Sequence, residues 1–213
     1  MKSIVKSNIF GLIGLLSTTF ILIYITNHYI LTISFYESNG DPVAGIPDQE
    51  SQVYENLQKW IYLSSVIYLL IKLFLIALIL YTALYLSEHP IQFNKIFNVV
   101  LIAEFIFFIP AIAKILWFHY QYPAGTLTDW HKVYIFSALS LFEFAPADWS
   151  YALQTLNAFE VGYWFLLAFG IYKVSEMNYD QSLRIVVLAY LPALFIWVAT
   201  VTFFILMMFP NTG

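Results

Sequence analysis

The sequence predicts an all-α, polytopic integral membrane bundle, and three observations carry that prediction. The chain of 213 residues is 61% hydrophobic, 20% aromatic and only 10% charged, with a mean hydropathy of +0.77. Soluble domains carry about 25% charge, so this chain has too little polar surface to cover a water-facing globule. Five segments, about 9–35, 60–86, 97–118, 151–172 and 183–209, are apolar over a bilayer-crossing length. A helix rises about 1.5 Å per residue, so about 20 residues cross a hydrocarbon core of about 30 Å. None of the five alternates with the period of two that barrel strands require. Backbone groups in lipid must pair within their own segment, so helices follow. All five belong to one membrane domain, residues 1–213.

The first segment begins in MKSIVKSNIFGLIGLLSTTFILIYI, which has the outline of a signal peptide. Its apolar run is much longer than the roughly 7–15 residues of a signal core, and no small-x-small cleavage site follows, so an uncleaved first span is expected. The connection Glu37–Gln58 is polar and acidic, with Asn39-Gly40-Asp41-Pro42 as a turn signal. The second span stops at Ser-Glu-His ahead of Pro90, because the residue before a proline is driven out of the helical region. The third span holds Pro110 and the fifth holds Pro192. A mid-helix proline removes one hydrogen bond and predicts a helix kink at each position.

Between the third and fourth spans lies a long aromatic connection broken by Pro123 and Pro146. Its central stretch, WHKVYIFSALSLFEF, is too short to span. It predicts an interfacial or re-entrant helix with Trp130, Tyr134 and Phe142 near the headgroups. Lys173–Ser182 is a tight polar turn, so spans four and five form a hairpin. Lys2, Lys6, Lys95, Lys173 and Arg184 fall on one side of this topology, and Lys59 and Lys132 on the other. That asymmetry predicts a cytoplasmic N-terminus and an outer C-terminus.

Four ionisable residues lie inside predicted spans: Lys72, Glu104, Lys114 and Glu160. A charge at the centre of a membrane helix costs roughly 2.5–3.5 kcal/mol even on insertion scales, so each calls for a partner. By axial rise, Lys72 lies near the midplane, Glu104 slightly to the cytoplasmic side and Glu160 slightly to the outer side. Lys114 lies about ten Å further out. The simplest pairs are Lys72 with Glu104 and Lys114 with Glu160. Such a charge network can fix which helices pack together, or it can relay protons or ions. It can also recognise a charged headgroup or a partner helix. Tyr68, Asn98 and Asn157 are the candidates for a polar path beside it.

The remaining chemistry is sparse. No cysteine is present, which excludes disulfides, thiolate metal sites and Cys nucleophiles. His28, His89, His119 and His131 never fall in HExxH spacing. His119, His131 and Asp129 could meet on the outer face, but such residues are more often interfacial, so no metal or cofactor is expected. There is no phosphate loop and no GxSxG, so neither ATP-driven transport nor hydrolysis by this chain alone is expected. A net charge of −4 with no basic cluster argues against nucleic acid.

Spans two to five resemble the YIP-domain family, the five-span membrane proteins named after Ypt-interacting proteins. The resemblance rests on ALYLSEHPIQFNKIFNVVLIAEFIFFIPAIAKIL, on TLNAFEVGYWFLLAFGIYKVSEMNYDQSLRI with Asn157, Phe159, Glu160 and Gly170, and on YLPALFIW with Pro192. It implies a five-helix membrane protein without catalysis. Few residues precede the first span here, and the DLYGP-like motif of eukaryotic members is missing. The resemblance is therefore to the bacterial type, some members of which are accessory proteins of ABC exporters. The expectation is a non-enzymatic accessory or assembly subunit of an ABC-type exporter or envelope complex in a bacterial inner membrane. It would contact lipid and other membrane subunits through the acidic loop Glu37–Glu55 and the aromatic loop Trp130–Trp149. The alternative is a small ion- or proton-coupled transporter or channel using the buried Lys and Glu residues.

Overall fold

A computed structural model describes residues 2–32, 35, 50–122, 125, 126, 129, 130, 133–142 and 147–208. Among them the fold is helical apart from one isolated antiparallel bridge, Ser137 to Asn157. In chain order the helices are α1 (Lys2–Tyr29), α2 (Glu50–Leu86), α3 (Phe93–Ala103), α4 (Phe108–Gln121), α5 (Ala147–Thr155), α6 (Ala158–Val174) and α7 (Tyr179–Met208). A 3-10 turn, Glu104–Phe107, joins α3 to α4, and a second one spans Ala138–Leu141. Four stretches are long and apolar enough to cross a membrane: Asn8–Tyr29, Gln58–Leu86, Phe93–Gln121 and Tyr179–Met208. Within the expected first span the described helix stops at Tyr29, where the Ile30 and Leu31 amides both donate to the Thr26 carbonyl. The acidic loop ahead of Glu50 lies outside the described residues.

Two expectations are corrected. The fourth segment, 151–172, is not one continuous helix; it breaks at Leu156 and Asn157 into α5 and α6. The aromatic stretch 130–144 is not a continuous interfacial or re-entrant helix either. Its described part from Val133 to Phe142 is turn, extended backbone and one 3-10 turn. The two departures share a cause. The Ala138 amide donates to the Leu156 carbonyl at 2.7 Å, and the Ala158 amide donates to the Phe136 carbonyl at 3.0 Å. Backbone groups released by the helix break are thus satisfied by a strand-like segment, which cannot then be helical itself.

The core forms where α2, α3, α6 and α7 meet. On α2 the buried residues Leu69, Leu73, Ile76, Ala77, Leu80 and Leu84 recur at helical spacing. They meet Ile96, Val99, Val100 and Ala103 of α3, and Tyr163, Leu167, Ala168 and Ile171 of α6. Helix α3 is the hub, packing against α1, α2 and α6. Its contact with α6 is close because Gly170 lacks a side chain; a methyl group there would run into Val99. The other faces of the helices expose Phe74, Phe105, Phe165, Phe195 and Phe204, as lipid as solvent would require.

The turns explain how this frame closes. The turn between α2 and α3 is a Schellman-type stop, in which His89 donates to the Leu84 carbonyl and Glu88 sits at φ 63°. Helix α7 opens with a reciprocal capping box. The Gln181 amide donates to Asn178 Oδ1 at 2.8 Å, and the Asn178 amide donates to Gln181 Oε1 at 3.2 Å. The 3-10 turn at Glu104–Phe107 falls where Pro110 cannot supply the amide that the Ile106 carbonyl would accept, so the ladder tightens there. Around Pro192 the helix continues without interruption.

Candidate functional site

The break in the fourth segment is held by one side chain. Asn157 Oδ1 accepts the Glu160 amide at 2.8 Å and so caps the first turn of α6. Its Nδ2 donates to the carbonyls of Gln154 at 3.3 Å and Thr155 at 3.1 Å, at the end of α5. Both open helix ends are thereby closed by one side chain.

Asn157 and Glu160 have the spacing of a capping box, but Glu160 does not close it. Its Oε1 instead accepts Trp164 Nε1–H at 3.1 Å and the Tyr190 hydroxyl at 2.7 Å. At Asn178 and Gln181 the same spacing produces the ordinary reciprocal box. The difference is that Glu160 is turned inward, 6% exposed, against α7. A buried carboxylate held by two neutral donors is costly unless it is used or neutralised.

The second part of the site is the pair Lys72–Glu104. Lys72 Nζ bonds Glu104 Oε1, as the sequence predicts, with side chains 23% and 7% exposed. The ammonium also lies over the Phe107 ring, 4.1 Å from its centroid, and 5.8 Å from that of Tyr163. Glu104 Oε2 and the Tyr163 hydroxyl are both buried beside this pair, and neither meets the geometry of a hydrogen bond to another group among the described residues.

These residues converge in depth. The turns at 87–92 and 175–178 put the ends Leu86, Phe93, Val174 and Tyr179 on one side of the bundle. Counted from those ends at 1.5 Å per residue, Lys72 and Glu160 lie about 21 Å in, and Glu104 and Tyr190 about 17 Å. A hydrocarbon core of about 30 Å laid across the bundle from those ends would hold all four in its interior.

A cavity of about 340 Å³ opens against them between α2, α5, α6 and α7. Tyr68, Lys72, Tyr151, Asn157, Glu160, Tyr190 and Trp197 line it. A second, more apolar cavity of about 460 Å³ lies between α1, α2 and α4, with Tyr68, Glu104 and Lys114 in its wall. Tyr68 borders both, and the Lys72–Glu104 pair contributes one residue to each.

The expected pair Lys114–Glu160 does not form; among the described residues the ion pair is Lys72–Glu104. Lys114 Nζ instead stands 4.3 Å from the Trp130 ring centroid and 5.5 Å from that of Tyr134. The reason is depth. Counted from the same ends, Glu160 lies about 21 Å in and Lys114 about 32 Å, so about 10 Å separates their levels.

The polar-path candidates divide. Tyr68 and Asn157 reach the cavity, while Asn98 donates to Asn8 Oδ1 at 2.7 Å in the α1–α3 contact. Tyr151, Tyr163, Trp164, Tyr190 and Trp197 join the site without a mark of their own in the sequence. The signal that points to them is Asn-x-x-Glu inside an apolar run, which marks a helix start. His131 lies outside the described residues, and among those described no three His, Cys, Asp or Glu side chains converge as metal ligands. Compared with protein-family models, curated proteins and solved structures, the chain matches none.

Proposed function

We propose that this chain is a small ion- or proton-coupled membrane transporter or channel, with the mid-depth chamber as its pathway and Glu160 as its proton-bearing group. One observation carries the reading: Glu160, in the first turn of a helix that starts inside the bundle at a break in an apolar segment, faces a cavity shared with Lys72. Broken helices whose ends meet a polar cavity at the midplane are how many transporters build solute sites. Intramembrane carboxylates in such places serve as proton relays. In this reading the interrupted fourth segment completes a fifth crossing. The segment 133–142 is then a non-helical stretch at the membrane interface, where Phe136, Leu141 and Phe142 are exposed and its irregular backbone can reach water and headgroups. The Lys and Arg distribution supports a cytoplasmic N-terminus, and the sequence resemblance supports a bacterial inner membrane.

The competing reading is a non-enzymatic accessory or assembly subunit of an ABC-type exporter, which rests on the YIP-like resemblance and requires other membrane subunits as partners. Flux separates the two. The purified chain alone in liposomes with an imposed pH gradient should dissipate it faster than empty liposomes do. Glu160→Gln should lose that flux and Glu160→Asp should retain part of it. Equal rates for the chain, Glu160→Gln and empty liposomes, with a stoichiometric partner recovered from native membrane, would favour the accessory subunit.

A further inference from the structure

We propose that the chamber against Glu160 binds a small organic cation, a quaternary or protonated amine. The inference rests on reading the chamber as a solute pathway, and it names the solute. Among the described residues the charges around the chamber are Lys72, Glu104 and Glu160, and the Lys72 ammonium is taken up by Glu104. Glu160 Oε1 holds two neutral donors, and no donor reaches Oε2 among the described residues. The chamber wall therefore carries one carboxylate without a salt-bridge partner among the described residues.

Its other walls combine aromatic rings with aliphatic side chains such as Leu75, Ile79 and Leu194. Tyr68, Tyr151, Tyr190 and Trp197 surround the space, and Trp197 Nε1–H donates to the Tyr151 hydroxyl at 3.1 Å, fixing both rings. Aromatic faces attract cations, most strongly where water is excluded. A volume of about 340 Å³ lies within the range of small-molecule sites. An anion would be repelled by Glu160, and a neutral solute would leave its charge uncompensated. A divalent metal needs several hard oxygen ligands, and no such group converges among the described residues.

The titratable groups facing Glu160 are Tyr68 and Lys72 on α2, Glu104 on the 3-10 turn, Tyr163 on its own helix and Tyr190 on α7. Tyr151 lines the same chamber from α5. The carboxylate that takes a proton is the one that would hold the cation, so each displaces the other and the two move in exchange.

The test is calorimetric titration of the full-length chain in detergent with tetraethylammonium, with benzoate as the anionic control. Saturable binding of tetraethylammonium but not benzoate is expected, weaker in acidic buffer. Glu160→Gln should weaken it about tenfold or more, and Trp197→Leu several-fold. Gln154 is exposed at the chamber wall, so Gln154→Lys is a variant expected to fold, and its added cation should abolish binding. Absence of binding by the folded chain, or equal binding by Gln154→Lys and the parent, overturns the proposal. Proton flux without cation binding overturns it too, while leaving the transport reading intact. Cation binding without flux supports the site and counts against transport.

Discussion

At the scale of single residues, the account turns on which buried charges are partnered. Lys72 and Glu104 are, and breaking a buried pair by removing one member costs roughly 3–5 kcal/mol because the other charge is stranded. Lys72→Met alone should therefore lower the unfolding temperature in detergent sharply, and Lys72→Met with Glu104→Gln should recover most of the loss. Equal damage in both variants would mean that the two residues do not act as a pair. Glu88 offers an independent check on the turn below α2. Its φ of 63° is a left-handed conformation that costs an ordinary residue roughly 1–2 kcal/mol and glycine almost nothing. Glu88→Gly should raise thermal stability, against the usual direction for a glycine substitution. Lys72–Glu104 was legible in the sequence because both residues lie on uninterrupted helical geometry, where axial rise predicts depth. The Lys114–Glu160 pair does not form, because the two side chains lie at different levels and Lys114 packs on Trp130 instead.

At the scale of elements, close approach and interruption do most of the organising. Gly170 lies against Val99 where α6 crosses α3. A glycine-to-alanine change inside a helix normally gains about 1 kcal/mol in propensity, but overpacking costs about 1–3 kcal/mol. Gly170→Ala should therefore destabilise, and adding Val99→Ala should restore stability; thermal unfolding followed by size-exclusion profile reads both. Asn157 closes the break between α5 and α6 with three side-chain hydrogen bonds, so Asn157→Leu should cost more than the roughly 0.5–2 kcal/mol of an ordinary lost cap. The sequence shows the apolar lengths of α1, α2, α3–α4 and α7 plainly, because a run of apolar residues is all that a lipid-facing helix needs. It conceals the break at Asn157 and the pairing of 136–138 with it. Those depend on backbone hydrogen bonds between segments about 20 residues apart, which hydropathy and periodicity do not encode.

At the scale of the whole molecule, two cavities flank one ion pair in the middle of a bundle whose outer faces are apolar. The site's chemistry comes from aromatic hydroxyls and indoles that look like ordinary membrane packing residues until the fold brings them around Glu160. The central claim is that this mid-depth chamber admits water-borne solutes. The absence of cysteine from the chain makes that directly measurable with single substitutions. Thr155→Cys places a thiol in the chamber wall, and Phe195→Cys places one on an apolar face that is 76% exposed. Each variant, in sealed membrane vesicles, is treated with a membrane-impermeant cationic thiol reagent. The account predicts that Thr155→Cys is labelled and Phe195→Cys is not. If both stay unlabelled from either side of the membrane, the chamber is closed to water and the transport reading fails.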